Sequence, residues 1–501
     1  DRRMGSYSGE TVRARRGAAV SIAALALLTA ACGGSTLNPK DVAAANASAL
    51  GSTGTNAVVG AGSTTSVEPG SVIATSGGTG SGTVTNQGTS NRPGSAVTSP
   101  NVGTSHPTVG GTAAPATGQG VKAGSCAGFK NTTGITNSTI NLATIADVSG
   151  PVPGIFKPAI DATKAYAAYF NSTSTICGRK LAIDAIDAQT NGGGDQVGSQ
   201  KACDNDFAAV GSVTAFDDGG AGTAAGCGLP DLRALSTTTT RASCATCFGA
   251  EAPGGGYYQG AIPNYFTKTD KAATQNAAFI YVGVTASIAA AEGEIRAQKR
   301  AGWKFGYTSP FDIAEFNYTP YVTRMKTAGV RLVEFLGSSN EAIGLASAME
   351  QSNFKPDIFL VGGTQYDKQF AQAGSAVEGA VLYLDFVPFA EVASSPEESL
   401  YFRWLQQITP GAQPTYFGLF AWSAARLFVQ EATELGGQLT RANVVKRLRA
   451  VHNWTSNGLH APQDVGGKVI GKCWRFLQLK GSTWVPYGPP TYICGPGYSS
   501  R

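Results

Sequence analysis

Charged side chains are scarce in this chain: Lys, Arg, Asp and Glu make up 14% of its 501 residues. The formal net charge is +5, and the first 31 residues hold five arginines against two acids. The rest is nearly neutral and has no basic run, so it lacks the electrostatic footprint of a nucleic-acid binder. Histidine is scarcer still, with three in all. His106 falls in a Gly/Ser-rich stretch, and His452 and His460 come late, without the clustering a metal site needs. Neither a metal nor an organic cofactor is expected. Residues 122–501 contain no Gly-x-Ser-x-Gly elbow and no phosphate-binding loop, which argues against an enzyme. A Ser/His/Asp triad built from distant residues stays open, because its members need not be neighbours in sequence.

The apolar run near the start, about Ala18 to Leu28, falls short of the ~20 residues a membrane-spanning helix needs. Arg13, Arg15 and Arg16 precede it and small residues follow, which is the pattern of an export signal over residues 1–31. Leu28-Thr29-Ala30-Ala31-Cys32-Gly33-Gly34 resembles a bacterial lipobox, in which the cysteine becomes the lipidated first residue. Thr29 departs from the Leu or Val usual at its place. Met4 is a candidate initiator. The expected location is the outer face of the cytoplasmic membrane, with a lipid on Cys32 as the anchor.

Between residues 33 and 121 only Lys40, Asp41, Glu68 and Arg92 carry charge, in a background of Gly, Ser, Thr, Ala, Pro and Val. Such a segment cannot bury enough apolar surface to offset its ordering entropy. Residues 32–121 are therefore expected to form a disordered, lipidated tether, with a coil span of roughly 50 Å. The chain has nine cysteines. Setting Cys32 aside leaves Cys126, Cys177, Cys203, Cys227, Cys244, Cys247, Cys473 and Cys494, an even number that suits disulfides in an oxidising compartment. Nearest-neighbour pairing would join Cys126–Cys177, Cys203–Cys227, Cys244–Cys247 and Cys473–Cys494, although sequence alone does not fix connectivity. Cys244-Ala-Thr-Cys247 has no second close pair to complete a zinc site, so a structural disulfide is the better reading.

Strands and helices alternate from about residue 140. Ile140, Leu142, Thr144 and Ala146 form a strand, and a helix follows over Ala159–Phe170. Leu181–Ile186, Phe207–Val213 and Ala234–Thr237 continue the series, with Gly-rich turns between them. A second series begins with strand Ala278–Val282 and helix Ser287–Arg300. Strand Trp303–Tyr307, helix Phe316–Ala328, strand Val330–Phe335, helix Glu341–Ser352 and strand Asp357–Val361 follow. After Ala380–Leu384 come three helices, Glu397–Thr409, Phe417–Leu435 and Arg441–Val451, then short strands near Val469 and at Cys473–Leu479. This alternation implies parallel sheets, and two series imply two lobes. The expected fold is α/β, two doubly wound parallel-sheet lobes joined by a hinge. Ligands of such sheets bind beyond the carboxyl ends of the strands.

Ile145-Ala146-Asp147-Val148-Ser149-Gly150-Pro151 resembles the first strand and loop of the type I periplasmic binding proteins, in the branched-chain amino acid (Leu/Ile/Val) binding family of ABC transporter lipoproteins. Tyr169-Phe170-Asn171 with Cys177-Gly178-Arg179-Lys180-Leu181, then Asp187, Ala209-Val210-Gly211-Ser212 and Phe359-Leu360-Val361-Gly362-Gly363, resemble later segments in the same order. Ser172–Cys177 replaces the family's glycine pair, and Val213–Asp218 replaces its Ser-rich turn. The resemblance covers about 136–480. It implies lobe one over 122–253 and 382–458, and lobe two over 254–381 and 459–501. It further implies strand-end hydroxyls and N–H groups for a ligand carboxylate and an acid from the second lobe for its ammonium. By position, Ala215, Phe216 and Asp217 fall in the first such turn, Thr238 and Thr239 in the second, and Asp367 at the ammonium acceptor. Phe156 and Asp312 are further candidates for the cleft wall. Against these stand a polar turn for the Thr run, a helix-start role for Asp367 and core packing for Phe156. Asp217 sits awkwardly beside a ligand carboxylate and favours a cationic or amide-bearing solute.

The function so implied is capture of a small amino-acid-like or amide-like solute and its delivery to an ABC permease. A ligand-sensing receptor on the same fold, an extracellular hydrolase and a structural wall lipoprotein are the alternatives.

Overall fold

The computed structural model describes residues 121–253 and 257–499. The expected export signal, Cys32 and all but the last residue of the tether lie outside the described residues.

Strands β1 (Thr139–Ala146), β2 (Lys180–Asp187), β3 (Ala208–Val210), β4 (Asp231–Leu235) and β5 (Cys247–Glu251) form a parallel sheet in the order β2-β1-β3-β4-β5. Every residue of β3, β4 and β5 is buried, as befits strands covered on both faces. Helix Lys157–Thr173 connects β1 to β2. Pro158 lies in its first turn, where a missing N–H costs nothing, and Ala159, Ala162, Tyr166 and Phe170 bury one face.

Helix Gly192–Asn205 follows β2, where the glycine-rich sequence suggested only a turn. Asn191 caps it by accepting the Gly194 N–H. A Cβ on Gly198 would lie 3.0 Å from Ile145 and 3.1 Å from Ile186, so glycine permits the close approach to the sheet. Packing here overrides weak helix propensity.

The second lobe starts with β6 (Tyr257–Tyr258), followed by β7 (Ala277–Val282), β8 (Phe305–Phe311), β9 (Leu332–Leu336), β10 (Ile358–Val361) and β11 (Val381–Leu384). The last strands are β12 (Cys473–Lys480), β13 (Thr483–Pro486), β14 (Ile493–Cys494) and β15 (Tyr498–Ser499), which pairs with β6. The main sheet runs β13-β12-β11-β10-β9-β7-β8, with β14 on β12. Strands β7 to β11 are parallel, but β12 to β14 are antiparallel, so this lobe is not wholly parallel as expected. β12, β13 and β14 lie close together in sequence, and short connections suffice for antiparallel pairing among them, while β12 joins β11 antiparallel as the chain returns from lobe one. The expected strand at Trp303 begins only at Phe305. Trp303 is instead held by its indole N–H, which donates to the Pro263 carbonyl at 3.1 Å.

The lobe boundary expected at 381/382 falls inside β11, so Leu382–Leu384 belong to the second sheet. Helices Pro396–Ile408 and Tyr416–Leu435 then pack on helix Lys157–Thr173 in lobe one. The chain crosses between lobes after β5, after β11 and again before β12. The last two crossings run side by side: the Val387 N–H donates to Leu459 at 3.0 Å, and the Ala461 N–H to Asp385 at 2.6 Å. Disulfides join Cys126–Cys177, Cys203–Cys227, Cys244–Cys247 and Cys473–Cys494, each cysteine to its nearest neighbour. Among the described residues no helix is long and apolar enough to cross a membrane, and no His/Cys/Asp/Glu group could hold a metal ion.

Candidate ligand cleft

The carboxyl ends of both main sheets open on one cavity of about 150 Å³. An apolar space of this size admits a benzene-sized molecule. Much of the wall is apolar, with Ile155, Phe156 and Phe417 from lobe one and Val282, Leu336 and Trp474 from lobe two. Phe156 meets Phe417 edge-on, with ring centroids 4.6 Å apart. The lobes touch at one rim, where the Ala286 N–H donates to the Ala215 carbonyl at 3.1 Å and Thr285 Oγ1 to Asp218 at 2.7 Å.

The strand-end N–H groups of lobe one are already engaged by the protein's own acids. Asp147, at the end of β1, accepts the N–H of Thr190 at 2.9 Å and of Ala215 at 2.8 Å. Burial raises its pKa, and those two hydrogen bonds work against the rise. Asp187, at the end of β2, accepts from the N–H groups of Val148, Ser149 and Gln189 and from Ser149 Oγ. Desolvation opposes its ionisation, yet these bonds hold its carboxyl at about 2. Asp217 accepts the N–H of Thr237 at 2.8 Å and of Thr238 at 3.2 Å. A buried network fixes this turn from below. Arg241 Nε donates to the Asp217 carbonyl, and its guanidinium pairs with Asp195 and Asp231. Arg233 joins Asp195 as well, with both side chains fully buried. Such a network rigidifies its surroundings when its groups are mutually paired.

Of the residues singled out from sequence, Phe156 and Ala215 line the cavity. Phe216 packs half-buried against the core instead. Thr238 caps a short helix by accepting the Arg241 N–H at 3.2 Å, and Thr239 is exposed within that helix. Asp312 is exposed and accepts the N–H of Ala314, forming a local turn, while its neighbour Ile313 reaches the cavity. Asp367 caps helix Lys368–Ala371 and accepts from Ser339 Oγ at 2.5 Å. It lines a second, polar hollow with Val152–Ile155 and Ser338–Asn340 rather than the main cavity.

The cavity's acids escaped the sequence reading. Glu251, Glu294, Glu341 and Asp385 line it, and no lysine or arginine does. A signal existed at Asp385, a lone charge in the apolar run Val381–Val387. The open question of a Ser/His/Asp triad also meets a concrete geometry at Ser423 and His460. Ser423 Oγ lies 2.8 Å from His460 Nε2, but the other ring nitrogen faces the Ala461 carbonyl rather than a carboxylate. Both residues are buried within the fold and neither lines the cavity.

A family model described as periplasmic binding protein matches residues 139–483. No curated protein sequence matches the chain. Among solved structures, a leucine-binding protein from Thermotoga maritima superposes with a TM-score of 0.60 at 14% identity, over 71% of this chain and 99% of its own. A fatty acid ABC transporter substrate-binding protein from Thermomonospora curvata gives 0.58 at 15% identity, over 73% and 94%. A solute-binding protein of an ABC transporter from R. palustris, in complex with 4-hydroxybenzoate, gives 0.56 at 15% identity, over 72% and 97%. Identities this low speak for a shared fold and leave the solute to be argued from this cleft.

Proposed function

The chain belongs to the periplasmic binding protein family, and from that premise we propose that it is an exported, lipid-anchored receptor that captures a small solute between its lobes and hands it to an ABC permease. The observation that carries this reading is the cavity itself, built from strand ends of both lobes and sized for a small organic molecule. Contacts from both lobes make the closed form the one that binds, so occupancy would report itself to a membrane partner through closure. The anchor part of the reading rests on Cys32 and the residues before it. An amino-acid-like solute, expected from the resemblance, needs free N–H groups for its carboxylate. Asp147 and Asp217 engage those donors, which favours a mainly apolar solute without a carboxylate.

The test is to purify the protein from its native membrane, denature it mildly and identify what is released by mass spectrometry. A single small metabolite in near-stoichiometric amount is the expected result. Deleting the gene should then abolish uptake of that metabolite in labelled form. Turnover of the released molecule by the purified protein would instead point to a hydrolase.

A further inference from the structure

Four carboxyl groups without a neutralising cation gather where the chain crosses between lobes. Glu251 ends β5 and Asp385 directly follows β11, so each stands at a crossing. Their exposures are 1% and 0%, and both line the cavity. Glu294, on helix Thr285–Arg300, lines it from lobe two and shares a hydrogen bond with Glu334 of β9. The neighbouring groups are neutral donors. Tyr416 Oη donates to Glu251, Tyr383 Oη to Glu294 at 3.5 Å, and Gln463 Nε2 to Asp385 Oδ2 at 2.5 Å. Tyr492 lies close by, and His460, beside the Asp385 crossing, is held neutral by burial. Asp385 Oδ1, wholly buried in a cavity-lining residue, has no hydrogen-bond partner among the described residues. Native proteins leave few such atoms unsatisfied, and those they leave call for a reason. Burial raises the pKa of all four acids, with Asp385 and Glu294 near 7, and Asp385 adds to the rise at Glu251.

We infer that the solute of this cleft is a small organic cation, an amine or amidine with an apolar body and no carboxylate, whose charged group docks between Glu251 and Asp385. This rests on the reading of the chain as a solute receptor. An anion entering here would find no compensating cation and would oppose ionisation of the acids around it, and the lobe-one donors at Ala215, Thr237 and Thr238 are engaged by Asp147 and Asp217. A cation meets an unpartnered carboxyl oxygen and reaches acids from both lobes, which couples its capture to closure. At neutral pH the cluster retains protons. An arriving ammonium favours the ionised carboxylate, so a carboxyl proton leaves to solvent as the ion pair forms. Affinity therefore rises with pH, up to tenfold per unit for one proton released.

Benzylamine, benzyl alcohol and benzoate share one apolar body and carry positive, zero and negative charge. Calorimetry on the full chain, at pH 6 and 8 and in buffers of different ionisation heat, compares them directly. Benzylamine is expected to bind at least tenfold more tightly than the others, more tightly at pH 8 than at pH 6, with proton release. Asp385→Asn and Glu251→Gln should each weaken it tenfold or more. Both variants remove an uncompensated buried acid, and thermal melts of each are to be compared with the parent to check that they fold. Tighter binding of benzoate or the alcohol, amine affinity that does not rise with pH, or unchanged affinity in both variants overturns the inference. If none of the three binds, the co-purifying molecule decides: a neutral or anionic one overturns the inference and leaves the solute receptor standing. Absence of any bound molecule removes both.

Discussion

The carboxylate of Asp217 accepts the backbone N–H of Thr237 at 2.8 Å. A side chain of the protein thus stands at donors, just beyond β4, that a ligand carboxylate would claim. Asp217 is 1% exposed, and Arg241 holds its carbonyl from the far side, so the arrangement is built into the turn before any solute arrives.

Asp217→Ala leaves the buried N–H groups of Thr237 and Thr238 without their acceptor. Each unsatisfied buried donor costs about 1–3 kcal/mol, so urea unfolding should show a loss of at least that order. Formate, added at high concentration, should restore part of it by occupying the place of the lost carboxylate. Equal stability of variant and parent would show that these bonds carry no weight.

The pH dependence of stability should carry the mark of Asp385. Burial raises its pKa to about 7 from an ordinary 3.8. Between those values the fold holds a proton that the unfolded chain has released, so stability falls as pH rises and levels off above about 7. Asp385→Asn has no proton to lose. Its stability relative to the unliganded parent should climb from pH 5 to pH 8 in matched denaturant titrations. A constant difference across that range would mean that Asp385 ionises normally.

His460 acts with the opposite sign. Burial lowers its pKa to about 4 from 6.5. Below pH 6.5 the unfolded chain gains a proton that the folded ring refuses, so stability is lost as pH falls toward 4. The loss is about 3 kcal/mol on the usual 1.36 kcal/mol per unit. His460→Gln should flatten the acid limb between pH 6.5 and 4. An unchanged limb would assign the acid sensitivity to other groups.

Cys126 and Cys177 are bonded across a sequence separation of 51, which ties the start of the described chain to the turn before β2. On the chain-entropy account a loop of that length is worth about 4 kcal/mol. Replacing both cysteines by alanine should lower the unfolding free energy by that order, read from guanidinium titrations. A change below about 1 kcal/mol would indicate that the unfolded chain is compact there without the bond.

Cys32→Ser should move the protein from the membrane fraction to the soluble exported fraction, because the proposed anchor is a lipid on that cysteine. Equal retention of both forms in the membrane fraction would rule the lipid out as the anchor.

Much of the fold was legible in the sequence. The helix at Lys157–Thr173 announced itself through apolar residues at helical spacing, and the pairing of Cys473 with Cys494 matches the simplest choice of neighbours. These features depend on local periodicity and short separations, which a linear chain carries in full. Helix Gly192–Asn205 was hidden, since its glycines read as a turn until Ile145 and Ile186 press against Gly198. The site was less legible for a related reason. Thr238 and Asp367 are of the residue types that hold a ligand, yet both cap helices. Whether a strand-end N–H faces solute or protein depends on where Asp217 folds back, and composition at the turn does not say. Glu251 and Asp385 are distant in sequence and come together only when both lobes are in place. The sequence by itself determined the alternation of strands and helices and the cysteine spacing. The tertiary structure alone decided which acids are buried without a counter-charge, because burial and compensation belong to the space around a side chain, not to its place in the chain.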